Sequence, residues 1–243
     1  MQKGKIDFLL KLKRKKYRDL HHKFIIENPK VIFEQAQNKD LDAVYVTDAF
    51  FSEHRDELIF PNLFRLSDKD FKQVSDLVTP PGILAVFNMS ADKKFNFLAA
   101  NILLLDTIQD PGNLGTILRS ADWFGFKDIF LGANCVELYN PKVIAGSMGS
   151  IFHLNIHTDI KLLDFVEELK AKKYCVAVSD LGAKKNHIST KAKIALVIGN
   201  ESKGVSQDLK NLADEKIKIF KVGQAESLNA AVAAGILMYE LKR

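Results

Sequence analysis

Three short segments of the chain pair polar residues with turn formers in patterns that chemistry can use. In the first, Asp106-Thr-Ile-Gln-Asp-Pro-Gly-Asn113 leads into a run where Leu114, Ile117, Leu118, Ala121 and Phe124 recur with helical period. The same period turns Arg119 away from that apolar stripe, so it is not a core residue. Asn113 has the type of a helix cap and Arg119 that of a solvated cation, so neither carries a function alone. The second segment is Gly199-Asn200-Glu201-Ser202-Lys203-Gly204. Such a loop exposes backbone N–H groups, yet Val205 stands where the Walker pattern requires lysine, and no GxGxxG occurs. The Glu201 carboxylate disfavours an anionic ligand and suits a cationic or hydroxyl-bearing one, the plain alternative being a glycine-rich turn. In the third, Ser227-Leu228-Asn229 opens a helix of small residues, where Ser227 and Asn229 can either cap or touch a ligand.

Those segments need a frame. Apolar strands are predicted at 101–106, 128–131, 174–179, 194–199 and 216–220, with helical stretches between most of them. That alternation gives an α/β fold with a mainly parallel sheet, in which ligands sit at loops leaving the carboxyl ends of strands. The helix after Ser227 is rich in Ala and Gly on most faces, which predicts burial and close approach to another backbone. Upstream, strands at 23–27, 43–47 and 83–88 alternate with helices at 29–37 and 68–76, the latter after a Ser67 cap signal, so a small α/β domain precedes the larger one. The polar stretch Ser90 to Phe97 reads as a linker, which places the domains at 1–92 and 98–243.

Charge is unevenly spread. The chain carries +5, but nine Lys and Arg against Asp7 and Asp19 leave +7 on residues 1–23 alone. Ile6, Leu9, Leu10, Lys13 and Tyr17 fall near helical spacing there, so the chain opens with a basic amphipathic helix. Charge alone leaves two readings open, a contact with a phosphate backbone and a solvated lysine-rich face. Cys135 and Cys175 lack CxxC spacing and clustered histidines, which argues for free thiols rather than zinc or a disulfide framework. No apolar run reaches the roughly 20 residues of a membrane span, and the N-terminus lacks a secretory pattern, so a cytoplasmic protein is expected.

In order and approximate separation, NLGTILRSADWFG, GNESKG and SLNAAVAAGIL resemble the three motifs of the SpoU (TrmH) family of RNA 2′-O-methyltransferases, within the SPOUT superfamily. The resemblance covers residues 101–243, and the preceding chain is similar, more weakly, to the family's small RNA-binding domain. It implies a parallel sheet with a trefoil knot, a homodimer and transfer of a methyl group from S-adenosylmethionine to an RNA ribose. Carried over, Asn113, Arg119, Glu201, Ser227 and Asn229 are the catalytic residues, and Ile198, Gly199, Asn200, Gly204, Ile219 and Leu228 line the cofactor. Lys11, Lys13, Arg14, Lys15, Lys16 and Arg18 are the expected RNA contacts. Ribosomal RNA of the large subunit is the expected substrate and transfer RNA the alternative. Two other readings are a noncatalytic RNA-binding relative and a base methyltransferase of the same superfamily. The chain departs from the family pattern at Ser202, in place of glycine, and at Ile219-Phe220-Lys221, in place of Ile-Pro-Met.

Overall fold

The computed structural model describes residues 2–90, 94–185, 187 and 193–242, which form two compact units. One takes the described residues up to 90 together with Tyr139–Met148; the other takes 94–138 and the described residues from Gly149 onward. The smaller unit begins with helices α1 (Gln2–Leu12) and α2 (Lys15–His21). It continues through β1 (Lys23–Ile26), α3 (Pro29–Glu34), β2 (Leu41–Thr47), α4 (Asp48–Glu53), β3 (Leu63–Leu66), α5 (Asp68–Val74) and β4 (Ile83–Asn88). Its sheet has the order β1-β4-β2-β3, with β4 antiparallel to both neighbours and β2 parallel to β3. Leu9 and Leu12 of α1 and Phe71 and Val74 of α5 close a core with Tyr45, Leu84 and Val86.

The one basic helix read from the sequence is two. Arg18 is buried at 3% exposure, and its Nη1 donates to the carbonyls of Leu12 at 3.0 Å and Lys13 at 2.8 Å. These bonds satisfy carbonyls that the end of α1 leaves without an intrahelical partner, so the chain turns between Leu12 and Lys15. The short elements α4 and β3 give no strong periodic signal and were not foreseen. Nor was the excursion Tyr139–Met148, whose helix α7 (Pro141–Ser147) packs on β1 while the Tyr139 ring lies tilted against Phe24 with centroids 4.8 Å apart. Met148 and Gly149, at φ of 49° and 91°, turn the chain out of that helix.

The larger unit is built on one six-stranded sheet. In chain order it holds β5 (Asn101–Asp106), α6 (Pro111–Trp123), β6 (Asp128–Gly132), β7 (Asn155–Ile160), α8 (Leu162–Ala171) and β8 (Tyr174–Ser179). The elements β9 (Lys193–Gly199), α9 (Gln207–Leu212), β10 (Glu215–Ile217) and α10 (Ala230–Glu240) follow. The strand order is β10-β8-β9-β5-β6-β7, and every pairing is parallel. Near-continuous buried runs such as Ile102–Leu105 and Ile194–Gly199 are what a sheet covered on both faces requires. The chain moves outward from β5 through β6 to β7, then returns to lay β9 against the other side of β5. Loops leaving β5 and β9 therefore diverge, which opens the crevice where parallel sheets bind ligands.

Two expectations need correction. Phe95 and Phe97 are not linker residues, because Phe95 packs against Phe130 at 4.9 Å and both press on the core beside α8. The edge strand β7 was missed since Asn155-Ile-His-Thr-Asp-Ile has few apolar residues; His157 fills one inward position and stacks on Phe130 at 4.6 Å. No helix among the described residues is long and apolar enough to cross a membrane.

Candidate active site

Helix α6 begins three residues earlier than the apolar period suggests. Asp110 caps it, its carboxylate accepting the Asn113 N–H at 2.7 Å, and Pro111 occupies the first helical position, where a missing donor costs nothing. Asn113 is thus relieved of capping. Its Nδ2 donates to Glu201 Oε1 at 2.5 Å, and its Oδ1 accepts from Asn229 Nδ2 at 2.8 Å. Asn229 does both things its sequence position allowed: Oδ1 caps α10 by accepting the N–H groups of Ala231 at 2.9 Å and Val232 at 3.3 Å, which leaves Nδ2 for Asn113.

Three residues, one from each segment, therefore form a directed chain from the first amides of α10 to a carboxylate. A carboxylate accepts only, so Asn113 must present its NH2 to Glu201, and that fixes the orientation of both amides. The positive end of α10 and the negative Glu201 terminate the chain with complementary charge. Close approach of α6 and α10 makes it possible. Gly235 of α10 faces Ser120 of α6, whose Oγ is 4.0 Å from where a Cβ would lie, as the small-residue pattern predicts.

The loop after β9 is built around two glycines. A Cβ on Gly199 would stand 2.2 Å from the backbone of Gly204 and Val205, so no side chain fits there. Gly204 has φ of 67°, a region glycine enters freely. Between them Asn200 divides its side chain: Nδ2 donates to the Thr107 carbonyl beyond β5 at 3.1 Å, while Oδ1 accepts from Ser202 N–H at 2.9 Å and Lys203 N–H at 3.2 Å within the loop. Asn200 thus shapes the loop from within, and Glu201 sits on that shaped turn. Ser202 is exposed and its N–H is satisfied inside the turn, so the departure from glycine leaves the Glu201 bond intact.

The remaining candidates separate clearly. Ile198 is 1% exposed, so its side chain belongs to the core and only its backbone could meet a ligand. Ile219 is half-buried just beyond β10, while Ser227 and Leu228 are exposed. Arg119 is exposed on α6. In the other unit Lys13 is committed to the fold, donating to the carbonyls of Gln73 at 3.1 Å and Ser75 at 3.0 Å and pairing with Asp76. Arg18 is buried, as described, and contradicts its expected RNA role. Lys15 pairs with Asp19 at 2.6 Å in an exposed i,i+4 contact, and Lys11, Arg14 and Lys16 are exposed.

Sequence reading missed what the strand order adds. Because β8 lies between β9 and β10, the residues after it, Asp180 and Leu181, fall between Gly199 and Ile219. Leu181 is 71% and Phe220 61% exposed, two apolar side chains beside the same sheet edge. Burial works against the Asp180 carboxylate, yet the Lys210 ammonium at 3.1 Å and the Gly182 N–H hold its pKa below the ordinary range. The dipeptide Asp110-Pro111 was itself a readable helix-start signal. Nothing in sequence spacing pointed to Asp180.

The profile of the SpoU rRNA Methylase family matches residues 100–239, and that of an MRM3-like substrate binding domain matches residues 3–85. A Bacillus subtilis protein named as a 23S rRNA (guanosine(2553)-2′-O)-methyltransferase is 34% identical over 242 residues, covering 96% of this chain and 93% of its own. Among solved structures, an RNA methyltransferase of the TrmH family from Porphyromonas gingivalis, described as putative, superposes with a TM-score of 0.83 at 28% identity, over 98% of this chain and 96% of the other. A structure described as an RNA 2′-O ribose methyltransferase gives 0.82 at 27% identity, over 97% of this chain and 94% of its own. Matched over more than half its length by that profile, and along nearly its whole length by the Bacillus relative, the chain belongs to the SpoU rRNA methylase family.

Proposed function

We propose that this protein methylates a ribose 2′ oxygen of ribosomal RNA with S-adenosylmethionine, its substrate lying in the large-subunit RNA like that of the Bacillus relative. The observation that carries the proposal is the Asn229–Asn113–Glu201 hydrogen-bond chain, which unites three distant segments at the switch point of a parallel sheet. The residues present fit the cofactor. Gly199, closed to any side chain, presents backbone; Ile219, Phe220, Leu181 and Leu228 offer apolar surface for a purine; Glu201 suits a cation. The cofactor supplies an electrophilic methyl on a sulfonium. Arg119 grips the phosphate beside the target ribose and stabilises negative charge developing on the 2′ oxygen as its proton passes to water, for a guanidinium holds its own proton and donates in a fixed fork. Asn113 keeps the nucleotide side of the site in register with Glu201, and Ser227 lies one residue from Leu228 to meet the same ligands.

RNA is held by the smaller unit, residues 1–92 in the domain division read from the sequence, through the exposed cations Lys11, Arg14, Lys15 and Lys16. Arg18 and Lys13 are withdrawn from that set by their bonds within the fold. The protein acts in the cytoplasm as a homodimer. Support for the dimer comes from α10, where Val232, Ile236 and Tyr239 recur at i, i+4 and i+7 and are 50%, 37% and 52% exposed. Trp123, 85% exposed, extends that apolar surface at the end of α6, next to Phe124, which packs on Tyr239. The trefoil knot implied by the family resemblance belongs to the same proposal. The test is incubation with labelled S-adenosylmethionine and unmodified ribosomal or transfer RNA, followed by alkaline hydrolysis. A labelled, alkali-resistant linkage in ribosomal RNA, absent with Arg119→Ala, is expected. Label on transfer RNA alone moves the substrate, and label lost to ribonucleoside bases refutes ribose methylation.

A further inference from the structure

The loop that aims Glu201 is not self-supporting. Two consecutive residues at the end of β5 brace it from outside. The Asp106 carboxylate accepts the Ser206 N–H at 2.8 Å through Oδ2 and the Thr107 hydroxyl at 3.0 Å through Oδ1, and the Thr107 carbonyl accepts Asn200 Nδ2 at 3.1 Å. Asp106 also sits beside Gly199 in the strand pairing, so the loop is fastened at its entry, near its turn and at its exit. Thr107 reaches this geometry with φ of 61°, a left-handed conformation that a β-branched residue adopts only when its surroundings enforce it. We propose that Asp106, acting through Thr107 and Ser206, is a positioning residue that fixes the Asn200–Val205 loop and thereby holds Glu201 against Asn113. This rests on the methyl-transfer reading above, in which a small misplacement of the loop costs rate rather than fold.

Two variants remove the brace from opposite sides. Asp106→Ala deletes the acceptor. Ser206→Pro deletes the donor, and Ser206 already has φ of −57°, which proline adopts without strain. Each is expected to lower kcat by roughly tenfold to a hundredfold, the scale of a misplaced catalytic group, and to speed amide exchange at Ser202 and Lys203 by about tenfold as local opening becomes easier. The double variant is expected to be no worse than the stronger single, because Asp106→Ala already removes the one contact that Ser206→Pro breaks. Asp106→Asn keeps an acceptor for Ser206 and is expected to recover most of the lost rate. Unchanged exchange in both single variants overturns the brace whatever the activity, as do effects that multiply in the double variant. Faster exchange in a protein whose wild type methylates no RNA leaves the brace standing and refutes the methyl-transfer reading instead.

Discussion

The carboxyl end of the sheet around Glu201 and the basic N-terminal helices are both rich in charged and polar side chains, but they spend them differently. At the carboxyl end one residue serves structure and site together: Asn229 caps α10 with one atom and orders Asn113 with the other. In α1, α2 and the turn between them the cations divide. Arg18 and Lys13 turn inward to carbonyls, while Lys11, Arg14 and Lys16 face solvent. A motif residue is thus over-determined by its neighbours, whereas membership of a charge cluster says little about any one member. Mutations should respect that difference.

The largest effect is expected at Gly199→Ala. Its Cβ would meet backbone at 2.2 Å, where no flexible side chain can yield, so the loop must move as a whole. Forced overpacking of this kind costs about 3 kcal/mol; where that cost falls on the loop the cofactor needs, calorimetry should find S-adenosylmethionine affinity reduced by about a hundredfold, the fold-change such an energy represents. Retained affinity would mean that the loop is looser than its packing indicates. Next comes Asn229→Asp, which preserves the acceptor for Ala231 and Val232 but replaces the donor facing Asn113 Oδ1 with another acceptor. The melting temperature should stay near wild type, since a cap worth about 1 kcal/mol is kept. Rate should fall by roughly tenfold or more, the penalty for leaving paired polar groups mismatched. Asn229→Ala should lose both, and a variant pair with equal rates and equal melting temperatures would dissolve the dual role.

How much of this was legible beforehand follows the same division. The strands β5, β6, β8 and β9 carry long apolar runs and were readable to within a residue or so. The edge strand β7 and the short α4 and β3 were not, because a half-polar or four-residue element leaves no period to detect. At the site, Asn113, Glu201 and Asn229 were named from motif order, but their mutual bonds were not, since they join residues up to 116 positions apart. The brace at Asp106 was invisible for a similar reason: an aspartate ending a strand looks like any turn former until Ser206 is brought to it. Arg18 was misread because sequence assigns a lysine-rich helix one solvated face and gives no hint that the helix breaks at Lys13.

The comparison within the basic region is the easier one to break, because two neighbouring cations should respond in opposite assays. Arg18→Ala removes a buried guanidinium from the carbonyls of Leu12 and Lys13, which lose charged hydrogen bonds in a site water barely reaches. A loss of about 2 kcal/mol in stability is expected, with rate at saturating RNA little changed below the melting transition. Lys16→Ala removes an exposed ammonium, so thermal stability should hold. If Lys16 neutralises a phosphate, RNA affinity should weaken and the slope of log affinity against log salt should fall by about one, the share of a single contact in counterion release. Should Arg18→Ala instead leave stability untouched and flatten the salt slope, its guanidinium must swing out to RNA. The bonds that close α1 would then belong to the free protein alone.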